Sequence, residues 1–190
     1  MKKGEVRIIG GRWRGRKLHF PAIPHLRPTP NRIRETLFNW LAPYLADAHC
    51  LDLFAGSGAL GFEALSRQAP SVTFIEQSSL LVSYLRTQLK HLDAENRAQV
   101  YQAQFPFSAT QLFKVKKPLF NIVFLDPPFH QALLGTACAW LTKEGLLAPE
   151  SIIYMEAEAS LKKLLLPENW EIQHAKTAGQ VHYTLIKSSA

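Results

Sequence analysis

Asp126-Pro127-Pro128-Phe129 is the segment of this chain with the most specific chemical content. It follows Asn121-Ile122-Val123-Phe124-Leu125, a short apolar run that reads as a buried strand. Two consecutive prolines remove two backbone donors and hold the chain extended. The Asp126 carboxylate and the Pro127 carbonyl are thereby aimed into one small space as acceptors, with an aromatic face beside them. Such a space suits a flat base that presents an exocyclic amine. Two acceptors take the two N–H bonds, draw the nitrogen lone pair out of ring conjugation and leave it facing an electrophile. Phe129 would stack on the ring, a contact worth about 1–3 kcal/mol.

A second cluster is Asp52-Leu53-Phe54-Ala55-Gly56-Ser57-Gly58. Gly56 to Gly61 spells G-x-G-x-x-G, and Glu76 follows 20 residues after Gly56. Taken alone, that spacing fits a dinucleotide dehydrogenase, with the loop on a pyrophosphate and Glu76 on a ribose. It equally fits any nucleoside-binding doubly wound sheet, because glycines let the backbone approach the ligand. Asp52 at the strand mouth favours the second reading. Neighbouring carboxylates repel a pyrophosphate and attract an ammonium or a sulfonium.

These residues need a scaffold. Strands are predicted over 49–54, 72–76, 98–102, 121–125 and 151–156, alternating with helical patterns through Leu60–Leu65, after Ser78 as a cap, over 108–114 and over 133–143. That alternation implies an α/β fold, an open and mostly parallel sheet with helices on both faces. Segments 170–176 and 180–187 read as antiparallel edge strands. Before the sheet, Val6–Ile9 and Arg12–Phe20 read as a hairpin turning at Gly10-Gly11. Residues 21–30 form an extended proline-rich linker, and Thr29-Pro30 opens a helix with Thr29 as its N-cap. The predicted division is a basic extension over 1–30 and a catalytic domain over 31–190.

Composition narrows the class. Of 190 residues 47% are hydrophobic and 19% charged, enough apolar material for a core. No apolar run reaches the ~18 residues of a membrane helix, and the stretch after Met1-Lys2-Lys3-Gly4-Glu5 is not apolar enough to be expected to act as a signal peptide. Cys50 and Cys138 show no metal or disulfide spacing. The expectation is a cytoplasmic monomer without a metal. Net charge is +7, and it is concentrated: residues 1–40 carry ten basic and two acidic side chains, leaving −1 for the other 150 residues. Polyanion binding therefore belongs to Arg7, Arg12, Arg14, Arg16, Lys17, Arg32 and Arg34, as phosphate contacts rather than base readers. Trp13 among them either contacts RNA or packs the hairpin on the body.

The two motifs together resemble S-adenosylmethionine-dependent methyltransferases that act on amino groups of nucleic acids. More narrowly, the chain resembles the bacterial RsmD-type 16S rRNA guanine-N2 methyltransferases. The similarity is carried by Arg7-Ile8-Ile9-Gly10-Gly11-Arg12-Trp13-Arg14-Gly15-Arg16-Lys17-Leu18, Leu26-Arg27-Pro28-Thr29, Arg34-Glu35-Thr36-Leu37-Phe38-Asn39-Trp40-Leu41 and Ala178-Gly179-Gln180-Val181. It extends over essentially the whole chain. It implies a Rossmann-like class I sheet of seven strands, one antiparallel, with a small N-terminal RNA-recognition extension. It further implies S-adenosylmethionine as cofactor, held by Asp52, Phe54, Gly56, Ser57, Gly58 and Glu76, and a guanine of small-subunit rRNA as target. Gln104 stands where the family usually has Asn or Asp near the cofactor's adenine.

The N-terminal segment separates this reading from a DNA adenine-N6 or cytosine-N4 methyltransferase, which shares the Asp-Pro-Pro-aromatic logic. A non-catalytic RNA-binding module is the remaining class, and it would survive loss of Asp126. Methylation at a pyrimidine carbon calls for a Cys nucleophile after the proline, a position that neither Cys50 nor Cys138 occupies.

Overall fold

A computed structural model describes residues 3–24, 26–114, 117–128, 133–159 and 166–189. In chain order its main elements are β1 (Lys3–Arg7), β2 (Lys17–Pro21), α1 (Asn31–Leu41), β3 (His49–Asp52), α2 (Ala59–Ser66), β4 (Ser71–Glu76), α3 (Ser79–His91), β5 (Ala98–Gln102), α4 (Ala109–Phe113), β6 (Phe120–Leu125), α5 (Leu133–Glu144), β7 (Leu147–Glu158), β8 (Trp170–Ala178) and β9 (Val181–Ser188). Strands β3 to β9 form one sheet in the order β5-β4-β3-β6-β7-β9-β8. Only β9 runs against its neighbours. The order reverses between β3 and β6, the crevice where such sheets bind ligands.

Two apolar layers flank the sheet. One joins α1, α2 and α3 with the buried residues of the N-terminal hairpin, Val6, Ile8, Trp13, Leu18 and Phe20. The other packs α4 and α5 on the opposite face. The hairpin therefore shares the core of the sheet. This explains why every residue of α2, including Glu63 and Ser66, is buried: the sheet covers one side and the extension the other. Among the described residues no helix is long and apolar enough to cross a membrane.

Three local expectations are corrected. The hairpin does not turn tightly at Gly10-Gly11: the β1–β2 ladder ends at Arg7 and Lys17, and Ile8 then bonds Arg16 and Gly15 to close a longer loop over residues 9–14. The intervening residues fold inward so that Trp13 enters the core at 3% exposure, its N–H donating to Ser66 Oγ at 3.0 Å. Packing against α2 outweighed turn propensity. Second, Thr29 is not a helix cap. Pro30 occupies that position without a side-chain cap, and the Thr29 hydroxyl points to a charged acceptor described below. Third, β9 is interior, not an edge strand. Tyr183, Thr184, Leu185 and Ile186 are buried in succession, as in a strand covered on both faces. The edge is β8, exposed from Glu171 to Thr177.

Candidate active site

The C-terminal ends of β3, β4, β6 and β7 each bring a carboxylate to the same end of the sheet. Asp52 closes β3 and is 3% exposed. Its Oδ2 accepts from the Gly61 N–H at 3.1 Å, tying the strand to the first turn of α2. Burial pushes its pKa up to about 7; the Gly61 bond opposes this, and the charges of Asp126 and Glu76 add to it. Across the switch point Asp52 is paired with Phe124, so Asp126 stands just beyond it on the neighbouring strand.

The loop between β3 and α2 is shaped by two left-handed residues, Gly56 (φ +51°) and Gly58 (φ +73°). A Cβ on Gly58 would lie 2.5 Å from the Phe62 ring and 2.7 Å from Leu85, so only glycine closes this turn. Ser57 is buried and Phe54 half-buried, the latter edge-on to Phe105 at 5.5 Å. Glu76, at the end of β4, accepts the Gly56 N–H on Oε2 and the Ser78 N–H on Oε1, both at 2.8 Å. Ser78 caps α3 through its side chain, as its sequence predicts. Gln104 is exposed in the loop beyond β5, at the same end of the sheet as Glu76.

Asp126 is half-buried, Pro127 buried and Pro128 exposed, while Phe129 lies outside the described residues. Asp126 Oδ2 accepts from Thr29 Oγ1 at 3.2 Å. Burial raises the Asp126 pKa to about 6, and the Thr29 bond pulls it back. Behind it sits Glu156 of β7, 3% exposed, with Oε1 accepting from the Tyr154 hydroxyl at 2.9 Å. Its pKa is pushed up to about 8, by burial first and then by the Asp126 charge.

Sequence reasoning missed Glu156, Thr29, Leu26 and Phe105. The missed signal for Glu156 was positional: it ends an apolar strand segment, as Asp52 and Glu76 do. By sequence Leu26 falls in the linker and Thr29 reads as a helix cap, neither of them at the site. In the fold, Leu26 covers the loop so closely that a Cβ on Gly56 would lie 2.9 Å from its Cδ1.

The basic residues divide. Arg7, Arg12, Arg14, Arg16, Lys17 and Arg32 are exposed, with Lys17 paired to Glu5 at 3.2 Å. Arg34 is not a surface group, which corrects its assignment to RNA contact, and of the two readings of Trp13, burial favours packing on the body over RNA contact. Arg34 is 1% exposed and donates to the carbonyls of Thr29 (3.1 Å) and Arg7 (2.8 Å), to Asn31 Oδ1 (2.6 Å) and to Glu63 Oε2 (3.4 Å). As a phosphate contact Arg34 was expected in solvent; here the hairpin closes over it. Among the described residues no group of three or more His, Cys, Asp or Glu could hold a metal ion. Cys50 and Cys138 are buried free thiols.

The chain is similar to known proteins over almost its whole length. It is 48% identical over 187 residues to the Ribosomal RNA small subunit methyltransferase D of Escherichia coli K12, covering 98% of this chain and 92% of that one. The protein of the same name from Haemophilus influenzae is 46% identical over 188 residues, covering 98% and 95%. The solved structure of yhhF from Escherichia coli superposes with a TM-score of 0.83 at 47% identity, covering 98% and 99%. The sequence model of the family described as "Conserved hypothetical protein 95" matches residues 6–187. The fold is thus the Rossmann-like methyltransferase sheet, and the chain belongs to this family, that of ribosomal RNA small subunit methyltransferase D.

Proposed function

We propose that the protein transfers a methyl group from S-adenosylmethionine to the exocyclic N2 amine of a guanine in 16S rRNA of the small ribosomal subunit. The observation that carries this reading is the position of Asp126. It stands across the switch point from Asp52, beside a glycine loop braced by Glu76.

The residues present fit the cofactor. The glycine loop lets the backbone approach a ligand, Glu76 has lone pairs left for ribose hydroxyls, and Phe54 with Phe105 forms an apolar wall. Asp52, Glu76 and Asp126 make an acidic neighbourhood that favours a cation over a pyrophosphate. When bound, S-adenosylmethionine supplies a methyl group on a positively charged sulfur.

The chain's own task is to present the amine. The guanine must leave its stack to reach the crevice. Asp126 Oδ1 and the Pro127 carbonyl then accept the two N–H bonds, which frees the nitrogen lone pair and points it toward the methyl. Holding the two reacting atoms in line contributes up to ~7–11 kcal/mol to the rate. The nitrogen becomes cationic as the C–N bond forms, so its proton leaves readily and needs no strong base. Exposed Arg7, Arg12, Arg14, Arg16, Lys17 and Arg32 hold the phosphate backbone.

The test is to incubate the protein with methyl-labelled cofactor and small subunits that lack their own modification, then map the label. Label on a guanine N2 of 16S rRNA is expected. Label elsewhere, or on protein or DNA alone, overturns the proposal.

A further inference from the structure

We infer that Thr29 is a positioning residue for the reaction: with its backbone carbonyl held by buried Arg34, its hydroxyl fixes the Asp126 carboxylate in the orientation that receives the amine. The inference rests on Asp126 gripping the target amine, as proposed above.

Thr29 is the point where the N-terminal extension touches the reacting centre. It lies between Pro28 and Pro30, whose rings restrict the backbone on either side, and it is 4% exposed. Its two polar ends are both engaged. The carbonyl accepts from Arg34 Nε at 3.1 Å, and Oγ1 donates to Asp126 Oδ2 at 3.2 Å.

Arg34 is itself immobilised. Besides Thr29 it holds the Arg7 carbonyl, and its partner Glu63 accepts the Ile9 N–H at 2.9 Å and Arg67 Nε at 2.7 Å. The bridge from hairpin to carboxylate therefore runs through buried, multiply bonded groups. A residue needed only to fill space would have no use for a hydroxyl here.

Glu156 completes the arrangement. It stands on β7 behind the pair: its Oε1 accepts from the Tyr154 hydroxyl at 2.9 Å, and burial first, then the Asp126 charge, raise its pKa. The ionisable groups around Asp126 whose pKa values its charge raises are Asp52 on β3 and Tyr154 and Glu156 on β7.

The experiment compares Thr29→Val, Thr29→Ser and Asp126→Ala in the full chain, acting on small subunits that lack the modification. Thr29→Val keeps the shape and removes the donor. Its kcat should fall about 10-fold or more, the loss expected for a hydrogen bond to a charged group. KM for the subunits and calorimetric cofactor affinity should stay unchanged. The acid limb of its kcat profile should move to higher pH, because Asp126 loses the bond that favours its ionised form. Thr29→Ser should restore both rate and pH profile.

Should Thr29→Val melt below assay temperature, Thr29→Ala, which adds no bulk, carries the same expectation. Wild-type kcat and an unmoved acid limb in either variant overturn the inference, as does a loss of cofactor affinity that Thr29→Ser shares. If Asp126→Ala turns over like the wild type, the reading of the site itself fails. If Asp126→Ala is inactive while Thr29→Val is unaffected, only the role of Thr29 falls.

Discussion

Glu76 Oε2 accepts the backbone N–H of Gly56 at 2.8 Å, although 20 residues of helix and strand separate them. The carboxylate at the end of β4 is thus part of the wall of the glycine loop as well as the proposed partner for ribose. A backbone donor at the apex of a left-handed turn is held by a charge, which fixes where the loop meets its ligand.

This bond sets the outcome for Glu76→Ala. Cofactor affinity should fall on calorimetry, and the ligand-free protein should also lose about 1–3 kcal/mol, because two half-buried N–H groups lose a charged acceptor. Glu76→Gln should restore part of the stability. Unchanged affinity in the Ala variant would remove Glu76 from the cofactor site.

Asp126→Ala acts at a different step. Turnover under saturating cofactor should drop by about 10²-fold or more, with cofactor affinity nearly intact. Single-turnover kinetics separate the two quantities. A parallel loss of both would mean that Asp126 shapes the cofactor pocket and does not hold the amine.

Acidity offers a third test. Asp126, Asp52 and Glu156 have pKa values raised to about 6, 7 and 8, against about 4 for carboxylates in an unfolded chain. Between those limits the folded state binds more protons than the unfolded one, so these groups lower stability as pH rises. Glu156→Gln removes one of them. Its melting temperature should therefore fall less than that of the wild type between pH 5 and about 8. Identical slopes would show that Glu156 titrates normally.

Arg12 and Arg34 should behave differently. Arg12→Ala with Arg14→Ala should weaken RNA binding and reduce the slope of log affinity against log salt by about one per lost phosphate contact. Arg34→Ala should leave that slope alone and cost about 1–3 kcal/mol of stability, since it removes one of the two guanidinium partners of buried Glu63 and the donor of the Thr29 and Arg7 carbonyls. Denaturant melts and salt titrations of both variants separate a surface role from a buried one.

Deleting residues 1–30 tests whether the extension is separable. The deletion would strip α2 of its outer cover and expose Glu63 and Ser66. The expected product is insoluble or melts far below the full chain. A truncated protein that binds cofactor with native stability would show that the hairpin is only an appendage.

Much of this was legible in the sequence. Alternating apolar runs and capped helices identified the sheet, because each strand and helix has its own period and punctuation. The glycine loop and Asp126-Pro127-Pro128 were readable because a positive φ and a missing N–H are local requirements, written in residue type. The basic bias of the first 40 residues was likewise a matter of counting.

Long-range closure was not legible. Whether Arg34 faces solvent or Glu63, whether Trp13 lies outside or in the core, and whether Thr29 caps a helix or holds Asp126 across 97 residues depend on what packs against each from elsewhere in the chain. A single sequence records a side chain's chemistry and local period. Only the assembled layers fix its partner, because burial belongs to the neighbours as much as to the residue.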